Sequence, residues 1–366
     1  MSTKRVLFTG ARAPIVAYMA RLLYKAGYEV YAADSTYASV CMASRFVKKF
    51  IKLPPPKDPY YQNSLCQAVQ TYRIDCLIPT CEEIFYISKF KKELERYTRV
   101  LCETYEKLIS LHDKWTFYDY LKKANLQTPR TMLGSQAEPA WVQERVIKPR
   151  FSRFASKVTL SKKLPKTLAN RRHIVQEFVN GKQICSYALA QEGEIIAQCV
   201  YEPVLTAGKG AGILLKQIVH PKAEEITARI SGDFKFTGQI AFDFIETAGG
   251  KLYTIECNPR ATSGLGFLGD NLMFFSPNEE IKAANTPAAL ISRLAVWCYA
   301  LMQPLKTIRA RSICGMAVDF ISFKQDPLAW LLQIPIVAWW LMKGLFYGGP
   351  TAAGTADIEF NGESIL

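Results

Sequence analysis

Three oxygen-bearing side chains are spaced so that they could hold a divalent cation. Glu256 and Asn258 are separated by one residue in a strand-like segment, so both side chains point to the same face. Asp243, in an earlier segment of the same kind, could add a second carboxylate from a neighbouring strand. Mg²⁺ prefers hard oxygen ligands and usually keeps waters and phosphates as its other ligands. Arg260 follows directly, where a planar cation could clamp phosphate or carboxylate oxygens.

A lysine at the end of an apolar segment is a second candidate for binding chemistry. Lys148 lies in such a segment and precedes Pro149. A lysine in this position is expected to be partly buried, and a buried cation needs a negative partner. A bound phosphate would supply that partner.

These residues belong to four segments that occur in a fixed order and together resemble the ATP-grasp proteins. That family includes carbamoyl phosphate synthase large-chain halves, biotin carboxylase and amino-acid ligases, and the resemblance extends from about Val6 to Gly266. The segments are Leu111–Lys114 with Gln127–Pro129, then Val146–Pro149, then Ile174–Gly181, and finally Ala241–Phe244 with Tyr253–Arg260.

The resemblance implies ATP and Mg²⁺ as cofactors, with Mn²⁺ as an alternative. Residues matching Asp243, Glu256 and Asn258 hold the metal in the family, and the residue matching Arg260 contacts the transferring phosphate or acyl phosphate. Lysines matching Lys148 and Lys114 contact the nucleotide. Lys114 can also be interpreted as a surface charge at the start of a helix.

A further part of the resemblance concerns the adenine. Gln176, Glu177, Phe178 and Val179 match a hinge along adenine, where backbone groups make most of the contacts. Glu177 is the expected side-chain contact with adenine or ribose, and Phe178 and Val179 are expected to pack. Gln183 stands at a nucleotide-site position that is often Glu in relatives.

The chain departs from the family after the Lys-Pro pair. Relatives have a glycine-rich loop there, whose backbone N–H groups cradle phosphate, but residues 150–157 contain no glycine. Ser156 is one of the small residues that could keep the backbone approach open, and Arg150, Arg153 or Lys157 could supply charge instead. Lys209 lies in a later glycine-rich loop, which could be a mobile lid or an ordinary hairpin turn.

The fold class implied is an α/β N-terminal Rossmann-like (pre-ATP-grasp) domain over residues 1–108, followed by an α+β ATP-grasp domain over 109–275. Residues 276–366 are expected to form a C-terminal helical segment. A strand over Val6–Thr9, a helix ending at Gly27 and a strand over Glu29–Ala33 predict a parallel sheet. The turn at Gly10 lacks the later glycines of G-x-G-x-x-G, which disfavours a nicotinamide oxidoreductase.

Composition excludes several other functions. The formal charge is +14, but the basic residues form no long tract and no RNA-binding aromatic signature, so no nucleic-acid partner is expected. The ten cysteines and three histidines show no zinc-site spacing and no Ser-His-Asp pattern. Reduced thiols and the absence of a signal peptide favour a cytoplasmic enzyme.

The C-terminal stretch 327–347 is unusually apolar and admits several interpretations. It is long enough to span a membrane, although Pro335 and Lys343 argue against a clean span. It could instead contact a membrane surface peripherally, pack in the protein, or form a homodimer contact. A strand is predicted over Asp357–Asn361, with the chain returning to the fold.

Family chemistry implies a ligase that activates a small carboxylate as an acyl phosphate and joins it to an amine. Glu82 and Glu83, in a loop after a predicted strand, could hold the ammonium group of the amine, or either could be a helix N-terminal acid. Two alternatives remain: a catalytically silent ATP-binding regulator or scaffold, and a membrane-surface ligase acting on a lipid-linked acceptor.

Overall fold

The computed structural model describes residues 4–136, 144–152, 158–161, 165, 167, 170–208, 210–275 and 286–362. Two predicted site residues, Ser156 and Lys209, lie outside the described residues.

The N-terminal part is a five-stranded sheet of order β3-β2-β1-β4-β5, and all of its pairs are parallel. Its strands are β1 (Arg5–Phe8), β2 (Glu29–Asp34), β3 (Lys49–Lys52), β4 (Cys76–Ile78) and β5 (Arg99–Val100). Its helices are α1 (Pro14–Lys25), α2 (Tyr61–Thr71), α3 (Glu83–Ile87) and α4 (Lys91–Leu94).

The loops after β1, β2 and β4 meet at one edge of this sheet, because parallel strands end on the same side. Gly10, after β1, has φ +65°, and a Cβ atom there would lie 2.8 Å from Thr80 Oγ1 in the loop after β4. Glycine therefore allows both the turn and the close approach of the two loops.

Two helices and a four-stranded antiparallel sheet follow. The helices are α5 (Tyr105–His112) and α6 (Lys114–Lys123), and Asp113 caps α6 by accepting a hydrogen bond from the Trp115 N–H at 3.1 Å. The strands are β6 (Thr131–Leu133), β7 (Arg145–Pro149), β8 (Thr159–Ser161) and β9 (His173–Glu177), in the order β6-β9-β7-β8.

A seven-stranded sheet of order β14-β13-β10-β11-β12-β15-β16 forms the largest layer. Its antiparallel members are β10 (Lys182–Gln191), β11 (Glu194–Ala207), β12 (Ala211–Ile218), β13 (Gly238–Glu246) and β14 (Leu252–Asn258), and α7 (Pro221–Asp233) connects β12 to β13. The segment predicted to be helical after residue 276 contributes two more strands, β15 (Ala289–Ile291) and β16 (Val318–Asp319).

The N-terminal sheet and the seven-stranded sheet share their hydrophobic cores. Phe8 and Met19 from the N-terminal part lie in one cluster with Tyr187 and Leu215 of the large sheet. A 3-10 segment, Ser263–Phe275, contributes Leu265 to the same cluster. The side chains at the edge of one sheet are thereby held against the strands of the other.

The C-terminal helices are α8 (Arg293–Met302), α9 (Pro304–Arg309), α10 (Arg311–Met316), α11 (Pro327–Tyr347) and α12 (Pro350–Ala353). Among the described residues, α11 alone is long and apolar enough to cross a membrane, and only 17% of its most apolar window is buried.

The predicted strand over Asp357–Asn361 is wrong, although the chain does return to the fold there. These residues form a turn and an extended segment without strand pairing. The backbone is bound by side chains instead: the Phe360 N–H donates to the Glu82 carboxylate at 2.8 Å. Asp357 forms an ion pair with Arg12 at 2.6 Å.

Candidate active site

The three predicted metal ligands meet on the β13–β14 hairpin. Asp243 lies directly opposite Glu256 in the register, and Asn258 lies opposite Ala241. The Asn258 side-chain amide donates to Asp243 Oδ2 at 3.2 Å. The strand period of two and the hairpin register thus place two carboxylates and one amide on the wall of a cavity of about 600 Å³.

The electrostatics of the two carboxylates differ because their neighbours differ. Burial and the charge of Glu256 raise the pKa of Asp243 to about 7. Burial also opposes ionisation of Glu256, but the charges of Lys114 and Lys148 overcome it and hold the Glu256 pKa at about 2. A further cation beside Asp243 and Glu256 would therefore favour the state in which both carboxylates are ionised.

Among the described residues, no three His, Cys, Asp or Glu side chains surround a common metal position. The hairpin set has only two carboxylates, and its third member is an amide. That donor set fits Mg²⁺, which is usually bound through one or two carboxylates together with substrate phosphates.

Two buried lysines face the carboxylates. Lys114 Nζ lies 3.4 Å from Glu256 Oε2 and donates to the Ser152 carbonyl at 3.1 Å. Lys148, on β7, is 5% exposed and lines the cavity. Burial lowers the Lys148 pKa to about 8, and the Glu256 charge only partly offsets this. An anionic ligand at Lys148 would favour its charged form.

Arg260 lies beside the same hairpin end. Its Nη2 donates to Asn258 Oδ1 at 3.2 Å, and its Nη1 donates to the Ala261 carbonyl at 3.2 Å. Its Nε is buried and has no hydrogen-bond partner among the described residues. The guanidinium lines the cavity, and a planar cation in this position is suited to binding phosphate or carboxylate oxygens.

An ATP-grasp domain model matches residues 111–264, the part of the chain that contains all of these side chains. The chain contains an ATP-grasp domain. A comparison with curated protein sequences finds no match.

Solved structures of ATP-grasp enzymes share the fold at low sequence identity. The N5-carboxyaminoimidazole synthetase of Staphylococcus aureus, complexed with ADP, has a TM-score of 0.56 and 16% identity, and the match covers 72% of each chain. The L-amino acid ligase of Bacillus licheniformis has a TM-score of 0.55 and 13% identity, over 75% of this chain and 71% of that one. The biotin carboxylase domain of Hydrogenobacter thermophilus 2-oxoglutarate carboxylase has a TM-score of 0.58 and 12% identity, over 78% and 72%.

The segment predicted to lie along adenine begins on β9 and continues beyond the end of that strand at Glu177. Gln176 is buried, and its side-chain amide donates to Thr131 Oγ1 at 2.9 Å. The Glu177 N–H donates to the Arg130 carbonyl at 2.8 Å, and Phe178 is 39% exposed. Val179 is half-buried, and none of these four residues lines the cavity that the hairpin carboxylates line.

Gln183, by contrast, lines the cavity of the ATP-grasp domain, and Cys185 lies beside it. The Cys185 thiol donates to Asp243 Oδ1 at 3.0 Å and accepts a bond from the Gln183 amide at 3.8 Å. Sequence reasoning missed Cys185. Its alternation with Gln183 on one strand was the signal that could have indicated it.

The start of the loop after the Lys-Pro pair is held differently from the expectation. Arg150 was a candidate to supply charge to a phosphate, but its guanidinium is paired with the Asp113 carboxylate, with Nε to Oδ1 at 2.9 Å. Asp113 therefore both caps α6 and fixes Arg150. In the part of the chain that the structure describes, the positive charge that lines the cavity comes from Lys148 and Arg260. The other two candidates, Arg153 and Lys157, lie outside the described residues.

The far wall of the cavity comes from the N-terminal sheet and is largely apolar. Ala13, Thr80 and Cys81 line it from the loops at the sheet edge and Ile15 from the start of α1, and Tyr201 of β11 also lines the cavity. Sequence reasoning anticipated that the loop beginning at Thr80 would face the site, and missed the apolar residues around Ile15.

Glu82 and Glu83 do not face this cavity, so the hypothesis that they hold an ammonium group is wrong for this structure. Both are buried, at 1% and 3% exposed, and neither lines the cavity. Glu82 accepts the Phe360 N–H from the returning C-terminal segment. Asp34, at the end of β2, forms a buried ion pair with Arg12.

Proposed function

We propose that this protein is an ATP-dependent ligase that activates a small carboxylate as an acyl phosphate and joins it to an amine, with release of ADP and phosphate. One observation carries the proposal. Two carboxylates, an amide, a buried lysine and an arginine with an unsatisfied donor converge on one cavity of about 600 Å³ within an ATP-grasp domain.

The residues fit the binding of Mg-ATP. Asp243, Glu256 and Asn258 would hold Mg²⁺, or Mn²⁺ in its place, and the metal would bridge and neutralise phosphate oxygens. Lys148 and Lys114 would hold nucleotide phosphates. In this arrangement the two lysines and the metal balance the negative charge of the hairpin and of the phosphates.

Arg260 is the residue proposed to act on the reacting groups. Its guanidinium lines the cavity, where charge would accumulate on the transferring phosphoryl group and on the acyl phosphate oxygens. A preorganised donor of this kind contributes through electrostatic stabilisation in a site with little water. The apolar wall around Ile15 and Tyr201 would exclude water, which protects an acyl phosphate from hydrolysis.

The remaining nucleotide contacts are proposed from the match to the family. The backbone of Gln176–Val179 would lie along adenine, with Glu177 near adenine or ribose, and Gln183 would complete the nucleotide side. Ser156 and Lys209 keep their proposed roles, in phosphate approach and in a lid over the cavity.

The domain organisation is proposed in the same way. The parallel sheet within residues 1–108 would serve as the Rossmann-like (pre-ATP-grasp) domain, with 109–275 as the ATP-grasp domain and 276–366 as the C-terminal segment. The loops of the first sheet border the cavity, which supports a role for that domain in binding the carboxylate or the amine.

An amine is the class that we propose for the second substrate, and one solved structure of the same fold supports it. That structure is named an L-amino acid ligase, from Bacillus licheniformis, and it has the same fold over three quarters of this chain. An amine acceptor is therefore the first class to test, in a cytoplasmic enzyme that acts on small molecules.

The test is ADP release from Mg-ATP by purified protein offered mixtures of amino acids and small carboxylates. We expect substrate-dependent release that falls at least ~100-fold in Glu256→Ala, because an electrostatic group of the site is lost. Glu194→Ala is the matched control, since Glu194 is exposed on β11 and lies outside the cavity. Mass spectrometry of the active mixture would identify the new bond.

A catalytically silent ATP-binding regulator is the second candidate, favoured by the absence of glycine from residues 150–157. Nucleotide binding without ADP release in any mixture would support it. Release that is equal in wild type and Glu256→Ala would contradict both candidates.

A further inference from the structure

The C-terminal helices present an apolar surface that the protein does not cover. We call this surface the apolar face and define it as the exposed apolar side chains of α8, α9 and α11. Leu345 and Phe346 at the end of α11 are 84% and 86% exposed, and Leu301 and Leu305 of α8 and α9 are 87% and 69% exposed. Soluble monomers rarely expose a contiguous patch of this kind without a function.

Only one side of α11 packs on the rest of the protein. Ala329, Gln333 and Gly344 are buried along one stripe, and Trp340 lies under the Arg12 guanidinium. The opposite side carries Leu331, Ile334, Leu341 and Met342, all at least half exposed. A core helix of a soluble protein would instead be mostly buried.

Tryptophan side chains join the exposed parts into one surface. The Trp297 ring of α8 lies 5.8 Å from the Trp330 ring of α11, and the Phe323 ring lies 5.3 Å from Trp330. Aromatic rings with one polar edge are typical of the boundary between apolar and aqueous phases.

Both ends of α11 are tied to the same body, which excludes a membrane span in this structure. At the start, Ser44 Oγ donates to Asp326 at 2.5 Å. Beyond the end, Asp357 forms its ion pair with Arg12, which also binds Asp34 of the N-terminal sheet. The helix therefore lies along the protein with one side outward.

The charges around the apolar face indicate which partner covers it. Residues 293–347, all of which the structure describes, contain six basic and two acidic residues. Asp326 is buried and Asp319 is paired with Arg293. The exposed charges are therefore basic, and they are Lys306, Arg309, Arg311 and Lys324. Two copies of this face would bring like charges together, whereas an anionic lipid surface complements them.

We propose that the apolar face of α8, α9 and α11 binds peripherally to an anionic lipid bilayer, with α11 lying in the plane of the membrane surface. Leu345 and Phe346 would enter the boundary between headgroups and acyl chains, and the basic residues would contact the headgroups. Ser292 and Phe320, which flank α8 and α10, line the cavity, so bound protein would have its cavity beside the membrane.

The test is co-sedimentation of the full chain with vesicles of phosphatidylcholine alone and of phosphatidylcholine with 30% phosphatidylglycerol. We expect binding to the anionic vesicles that Leu345→Glu/Phe346→Glu weakens at least ~100-fold, because each side chain contributes tenfold or more when buried. Binding to the anionic vesicles should also weaken, on the order of 100-fold, in the triple variant Lys306→Gln/Arg309→Gln/Arg311→Gln, because the loss of each basic residue weakens it about fivefold. Val219→Glu is the matched control, since Val219 is 88% exposed but lies between β12 and α7.

Any of three results would overturn the proposal. The first is no binding to either kind of vesicle, and the second is equal binding to both kinds. The third is binding to anionic vesicles that neither the double variant nor the triple variant weakens. Concentration-dependent self-association that Leu345→Glu/Phe346→Glu abolishes, without vesicle binding, would show that a second copy covers the face. ADP release in solution should be unchanged in these variants. The membrane proposal and the proposed ligase activity can therefore fail separately.

Discussion

Glu83 allows the sharpest test of the electrostatics at the edge of the N-terminal sheet. The carboxyl group is 3% exposed, and its Oε2 has no hydrogen-bond partner among the described residues. Burial, with a smaller contribution from the charge of Asp34, raises the pKa of Glu83 to about 7, and Arg12 opposes this only partly. The folded protein therefore holds this group neutral over a pH range in which the unfolded chain ionises it.

The sign and size of the effect follow from linkage. The folded state binds more protons than the unfolded state between the two pKa values, so stability falls as pH rises through this window. With an unfolded pKa of 4.5 and a folded pKa of about 7, the loss is about 1 kcal/mol at pH 5 and about 3 kcal/mol at pH 8. Glu83→Gln, which cannot ionise, should avoid this loss.

We therefore expect the stability of Glu83→Gln relative to wild type to increase by about 2.5 kcal/mol between pH 5 and pH 8. The measurement is urea denaturation of both proteins at the two pH values. Glu95→Gln is the matched control because Glu95 has a side chain that is 42% exposed, and it should show no such change. A difference between Glu83→Gln and wild type that is the same at both pH values would refute the reasoning. Destabilisation by Glu83→Gln only at pH 8 would show that Arg12 keeps the carboxylate charged.

Three further predictions concern the site and the packing around it. Lys148→Met should weaken ATP binding at least ~10-fold in a nucleotide titration while the fold is kept, because Met preserves the buried stem without the charge; unchanged affinity would remove Lys148 from the phosphate site. In thermal denaturation, Gly264→Ala should destabilise the protein by about 1–3 kcal/mol, since its Cβ would lie 2.5 Å from the Tyr187 Cβ. Gly232→Ala on α7 is the control. Its Cβ would meet nothing within 4 Å, so this variant should be as stable as wild type or more stable. In urea denaturation at pH 7, Asp357→Asn should destabilise the protein by about 1 kcal/mol, because the ion pair with Arg12 lowers the Asp357 pKa and stabilises the folded state. This difference should shrink below about pH 4, since the stabilisation is lost once wild-type Asp357 is protonated.

Features that depend on a few neighbouring residues could be predicted from the sequence. Pro14 begins α1, and Gly27 follows its end with φ +90°, as a left-handed glycine after a helix requires. Asp113 caps α6 through the Trp115 N–H. The placement of Glu256 and Asn258 on one face needed only the strand period, and the hairpin register then brought Asp243 opposite.

Features that depend on distant parts of the chain could not be predicted in this way. The positions of Glu82 and Glu83 looked like a binding loop because both follow a buried strand. Both are buried in the structure, where Phe360, almost 280 residues later, donates its N–H to Glu82 and stacks on Phe85 of α3. No local pattern near residue 360 indicated that partner, and alternation there favoured a strand instead.

The same C-terminal contact bears on the loop that departs most from the ATP-grasp pattern. Phe151, three residues after Lys148, packs edge-on against Phe360 at 5.6 Å between ring centroids. His112, which precedes the Asp113 cap, stacks on Phe85 at 4.5 Å and lies 5.8 Å from Phe151.

Gly362 also adjoins the Phe151 ring, with no room for a Cβ atom. The beginning of this loop is thus fixed by aromatic packing and by the Arg150–Asp113 ion pair, where relatives rely on glycine flexibility. Residues 150–152, which are held by buried rings and an ion pair, have less conformational entropy to lose than glycine residues would have in their place. Lys148 lies two residues before Arg150, and Lys114 donates to the Ser152 carbonyl, so both lysines adjoin a segment that is fixed without glycine.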